Sequence, residues 1–118
     1  MSLHYELPVY KVTYDMLIEI FKFTKNFSKE FKYTVGESLK KQTIDLMVLI
    51  FRANSRKDKR AVLQEARELI EVIRLLIRVM KDLKQINLQS FIQINEKVEN
   101  VSKQLTSWQK AMKQQPKY

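Results

Sequence analysis

The chain has 118 residues, enough for one domain with a single core, and a formal net charge of +9. One Gly, two Pro and no Cys exclude the turn-rich β-sandwiches and barrels, disulfides, thiolate metal sites and cysteine nucleophiles. A single His, at His4, leaves neither a histidine metal cluster nor a histidine pair for acid–base work.

The first predicted helix covers about residues 9–27, with Thr13, Met16, Ile20, Phe23 and Phe27 on one face and Pro8 suited to its opening turn. The second covers about 34–54, with Leu39, Thr43, Leu46, Ile50 and Ala53 inward. Thr34 and Glu37 have the spacing of a reciprocal capping box at its start. The third covers about 58–85. Its positions Val62, Ala66, Leu69, Ile73, Leu76, Met80 and Leu83 alternate steps of four and three, and Ser55 or Asp58 is placed to cap it. The fourth covers about 87–114, repeats the pattern with Phe91, Ile94, Val98, Val101, Leu105, Trp108 and Met112, and has Asn87 as its cap. Short connections between long helices give antiparallel neighbours, so the prediction is an all-α, up-down-up-down four-helix bundle forming a single domain.

Several helices carry more apolar surface than one core needs. Tyr10, Tyr14, Leu17 and Phe21 form a second face on the first helix, and Ile44, Met47, Val48 and Phe51 do so on the second. Leu63, Ile70 and Ile77 add to the third, with Val72 and Val79 elsewhere around it. A small monomer cannot bury all of this, so self-association is expected.

The charge is concentrated. Residues 22–41 hold six Lys against two acidic residues, and residues 52–60 hold five basic residues against Asp58. In an up-down bundle those two segments lie at opposite ends. Arg60, Arg67, Arg74, Arg78 and Lys81 step by seven, seven, four and three along one helical face, with Lys84 just beyond. Glu71 lies inside that stripe and can pair with Arg67 or Arg74. Arg52, Arg56, Lys57 and Lys59 complete the basic candidates around the second connection. Clustered cations of this kind fit phosphates, so a nucleic acid or another acidic partner is expected.

Catalysis is not expected. Glu65, Glu68, Glu71 and Asp82 stand without a histidine, which excludes the paired Glu-x-x-His motifs of a di-iron bundle, and one glycine cannot build a phosphate loop. No cofactor, metal or membrane attachment is expected: the longest apolar run, residues 46–51, falls far short of the ~20 residues that span a bilayer. The Met1–Tyr10 segment lacks signal-peptide character, and the cysteine-free composition fits the cytoplasm.

The stretch Phe31-Lys-Tyr-Thr-Val-Gly-Glu-Ser-Leu39, then Leu49-Ile-Phe-Arg-Ala-Asn54 and a basic turn, resembles the accessory variability determinant (Avd) of diversity-generating retroelements. So do Leu63-Gln-Glu-Ala-Arg67, Ile73-Arg-Leu-Leu-Ile-Arg-Val-Met-Lys-Asp82 and the late Trp108. The related bundle proteins of 23S ribosomal RNA intervening sequences carry an Asn-Ile-Ala-Glu-Gly-like stretch where this chain has Phe51-Arg-Ala-Asn-Ser55, which favours the retroelement family. The resemblance implies a homopentameric barrel of four-helix bundles. It also implies a non-catalytic partner of a reverse transcriptase and its template RNA or cDNA, supporting mutagenic retrohoming. The alternative is a structural or ribosome-associated protein of the intervening-sequence type.

Overall fold

A computed structural model describes residues 6–113. Four long helices carry the fold: α1 (Pro8–Thr24), α3 (Val35–Ser55), α4 (Arg60–Asp82) and α5 (Leu88–Lys113), with a single-turn α2 (Lys29–Lys32) between the first two. The described residues contain no strand. Contacts run α1 to α3, α3 to α4, α4 to α5 and α5 back to α1, which closes a ring of four helices in an elongated body of 52 × 21 × 19 Å. Cross-helix pairs fix an antiparallel register. Arg74 of α4 meets Glu99 of α5, while Arg67 and Gln64 both meet Gln109 further along α5.

The core follows the predicted seams. Met16, Ile20, Leu39, Leu46, Ile50, Ile73, Met80, Ile94 and Leu105 are completely shielded. Thr13 and Thr43 also lie on buried stripes because their hydroxyls donate to the carbonyls of Val9 and Leu39, at 2.7 and 2.8 Å. Each hydroxyl is thereby satisfied within its own helix, and no partner across the core is needed.

The α4 seam differs from the prediction. Leu63, Ile70 and Ile77, expected on a second, outward face, are buried. The cause is geometric: α4 packs against both α3 and α5, so its inward stripe is wider than a two-helix seam. Leu83, expected to extend that seam, is exposed because α4 ends at Asp82. Trp108 and Met112 pack against the core edge half-buried.

Helix ends show which local signals operate. Pro8 opens α1. The Asn87 side chain accepts the Ser90 amide at 2.8 Å and caps α5, and Asp58 accepts the Arg60 amide at 3.2 Å before α4. The capping box does not form. The Thr34 hydroxyl donates back to the Glu30 carbonyl at 2.8 Å, because α2 places that carbonyl one turn before it. Ser55 likewise donates to the Arg52 carbonyl instead of capping α4.

α1 stops at Thr24, three residues short of the prediction. The Thr24 hydroxyl bonds the Ile20 and Phe21 carbonyls, and a turn then folds Phe27 back into the core. Gly36 permits the close approach of this turn to α3: a β-carbon there would lie 3.3 Å from the Phe31 carbonyl and 3.5 Å from the Phe27 ring.

Candidate interaction surfaces

Three surfaces stand out: two basic ends and one apolar flank. At the first end, the α3–α4 turn presents Arg52, Arg56 and Lys57 exposed. None of the three forms an ion pair among the described residues. Lys59 was expected beside them as a ligand contact, but its ammonium turns inward. It donates to the Ala53 carbonyl at 2.6 Å and also to the carbonyls of Asn54 and Arg56. These groups end α3, where unsatisfied carbonyls and the helix dipole favour a cation. Partial burial lowers the Lys59 pKa from its usual value.

Arg60 closes on its neighbour Asp58, with Nε to Oδ1 and Nη2 to Oδ2 both at 3.1 Å. The Arg60 side chain and its backbone amide together hold the Asp58 carboxyl down at about 2, against an ordinary 3.8. The sign follows from linkage: stability from this pairing is present above the ordinary aspartate pKa and is lost as pH falls through about 2. Carboxyl-carbon NMR should therefore place the Asp58 midpoint near 2 in the wild type and shift it toward 3.8 in Arg60→Ala. An unchanged midpoint would mean that the guanidinium does not hold the carboxylate in solution.

The arginine stripe on α4 forms as a stripe, on the side facing α5, yet its charges are largely engaged. Arg67 bonds the side chain of Gln109, which in turn donates to Gln64 at 3.0 Å. Arg74 lies between Glu71, at 3.1 Å, and Glu99 of α5. Arg78 pairs with Asp82 at 3.3 Å, and the Lys81 ammonium sits 5.1 Å from the Phe91 ring centroid. Arg67 and Arg74 thus fasten α4 to α5, and Arg78, on the outer turn, is the most exposed of the three.

The opposite end adds three cations absent from the predicted site to Lys84, which belongs to it. The α1–α3 and α4–α5 connections meet there, joined by the Ser28 amide donating to the Gln85 side chain at 2.7 Å. They bring Lys22, Lys25 and Lys29 to the same end as Lys84, all exposed. Among the described residues none of these four forms an ion pair. The signal in the sequence was the lysine surplus of residues 22–41. Only the fold joins it to Lys84.

The predicted apolar face is real on one flank. Tyr10, Tyr14, Leu17, Ile44, Met47, Val48 and Phe51 line one groove between α1 and α3. Phe21 lies further along the same flank, its ring 5.1 Å from the Lys40 ammonium. Around α3 the apolar surface continues: Val48, Leu49, Leu69 and Val72 line a second groove with Arg52, Asp45, Glu65 and Glu68. Leu75, not singled out from the sequence, is 60% exposed on α4. Its link to the face was legible as a step of three from Val72 and four to Val79.

No group of three or more His, Cys, Asp or Glu side chains among the described residues could hold a metal. No described helix is long and apolar enough to cross a membrane. The class of protein so defined is a basic helical bundle with two cationic ends and an uncovered apolar flank. A family model described as bAvd-like matches residues 8–112, and the chain belongs to that family. Among curated proteins, none matches it.

Proposed function

We propose that this protein is the accessory subunit of a diversity-generating retroelement. In this reading it performs no chemistry. It assembles with copies of itself, as a homopentameric barrel, through the α1–α3 flank. Its basic surfaces hold the element's reverse transcriptase and the template RNA or its cDNA copy during mutagenic retrohoming in the cytoplasm.

The observation that carries the reading is membership of the bAvd-like family across residues 8–112. The geometry supports it in two ways. The exposed aromatic and aliphatic side chains Tyr14, Ile44, Val48 and Phe51 share one flank, and an apolar patch of this kind is normally covered by another subunit. Exposed cations stand at both ends, Arg52, Arg56 and Lys57 at one and Lys22, Lys25, Lys29 and Lys84 at the other, and the affinity of clustered Lys and Arg for phosphates is strong and salt-dependent.

The test is an affinity pull-down of tagged protein from its native cells, divided into nuclease-treated and untreated halves. The expected result is a reverse transcriptase in both halves and one enriched non-ribosomal RNA in the untreated half. Recovery of ribosomal components alone would overturn the reading in favour of a ribosome-associated role.

A further inference from the structure

We propose that the end of the bundle formed by the α1–α3 and α4–α5 connections is a docking surface for a nucleic-acid strand, gripped through its phosphates by Lys22, Lys25, Lys29 and Lys84. This inference rests on the nucleic-acid part of the reading above and assigns it a place.

The first argument is electrostatic. The arginines of the α4 stripe are drawn into contacts with Gln109, Glu71, Glu99 and Asp82, whereas these four lysines face solvent and form no ion pair among the described residues. At the other end, two of the five clustered cations are engaged, Lys59 by the α3 carbonyls and Arg60 by Asp58. A phosphate meeting the lysine end displaces counterions and breaks no protein contact. Lysine suits the task because its compact ammonium on a flexible stem can follow irregular phosphate spacing. The bundle is 19–21 Å across, which corresponds to about six nucleotides at ~3.4 Å each. Tyr33, 64% exposed in the same connection, offers a ring for base stacking.

The second argument is conformational and independent of charge. Lys84 has φ 64°, the one positive-φ non-glycine residue described. It occupies the turn that ends α4, where the Gln85 amide bonds the Met80 carbonyl at 2.8 Å and the Lys84 amide bonds that of Lys81 at 3.0 Å. This is the Schellman arrangement, in which glycine is the favoured residue at the left-handed position. A β-carbon there is unfavourable, so a lysine in that place points to a use for its ammonium beyond the turn. The Ser28–Gln85 bond adjoins this strained residue and ties it to the lysine-bearing α1–α3 connection.

The test is fluorescence anisotropy with a 20-nucleotide single-stranded RNA, from 50 to 200 mM KCl. It compares the wild type, a variant with K22Q, K25Q, K29Q and K84Q, and a control with R52Q, R56Q and K57Q at the other end. Four phosphate contacts contribute a salt slope of about 2.8, which is about 50-fold in affinity over that range. The lysine variant is expected to lose that share while the control keeps it. K84G alone is expected to lose one of these contacts, so that its fall in affinity between 50 and 200 mM KCl is about 2–3-fold smaller than the wild type's, with a melting temperature equal to or above the wild type's. A purely structural lysine would give no change in the salt slope.

An unchanged slope in the lysine variant, with wild-type RNA binding intact, overturns this surface and leaves the nucleic-acid reading standing. Failure of the wild type to bind RNA at 50 mM KCl overturns both. Wild-type binding to phosphatidylserine vesicles but not to RNA would overturn the proposal in favour of a lipid surface.

Discussion

Replacing Ile70 with alanine is expected to destabilise the bundle by about 2–5 kcal/mol, while Val72→Ala two residues away should stay within about 0.5 kcal/mol. Ile70 is 1% exposed and Val72 42% exposed, although sequence hydropathy alone rates the two alike. Truncating Ile70 removes buried methyl groups at the side of α4 that packs into the ring and leaves a cavity that four long helices cannot readily close. Val72 borders the open groove between α3 and α4, where the surrounding surface is already wet. A whole-domain stability is only about 5–15 kcal/mol, so the Ile70 change should move the urea midpoint far more than any surface change. Urea titration followed by circular dichroism, at two protein concentrations, checks both. Equal costs at the two positions would mean that the outer face of α4 is also covered in solution.

That contrast marks where the sequence was legible. Steps of three and four gave the four long helices, and the α5 seam from Ile94 to Leu105 is buried as read. They could not give the width of the α4 stripe. Leu63, Ile70 and Ile77 form a second row whose burial depends on α4 having neighbours on two sides, a property of the ring and not of the helix. Capping signals divided for a related reason. The Asn87 side chain accepts the Ser90 amide and caps α5, whereas Thr34 finds the Glu30 carbonyl of α2 already one turn away. The four-residue helix itself carries too little periodic signal to be read.

The candidate surfaces were legible as charge and as apolar excess, less so as particular residues. Lys59 looked equivalent to Lys57 in sequence, yet one caps three carbonyls and the other faces solvent. The difference is set by where the end of α3 points its unpaired carbonyls. Arg74 pairs with Glu71 as their spacing along α4 allows, but its second partner, Glu99, comes from another helix. The lysine end was divided between two segments more than fifty positions apart, and no local pattern could join them.

Ile44→Asp combined with Phe51→Asp is expected to convert the proposed homo-oligomer to a folded monomer of 14.2 kDa. Both side chains lie on the outward side of α3, 44% and 46% exposed, so in a lone bundle the new carboxylates remain hydrated and the core is untouched. Covered by a second subunit, the same carboxylates would be desolvated without designed partners, which costs several kcal/mol per charge. In the proposed ring that penalty falls at every subunit contact, and a closed ring needs all of its contacts, so the loss of assembly should be steep. Light scattering coupled to size exclusion reads the mass, and circular dichroism confirms that helicity is kept. A wild type that itself runs at 14.2 kDa would refute the homo-oligomer. A variant that keeps the full assembled mass would move the interface elsewhere, with Val72 and Leu75 on α4 as the next surface to charge. If assembly creates the polymerase-binding surface, the monomeric variant should also lose reverse transcriptase capture while its lysine end still binds RNA, because that end is built within one chain.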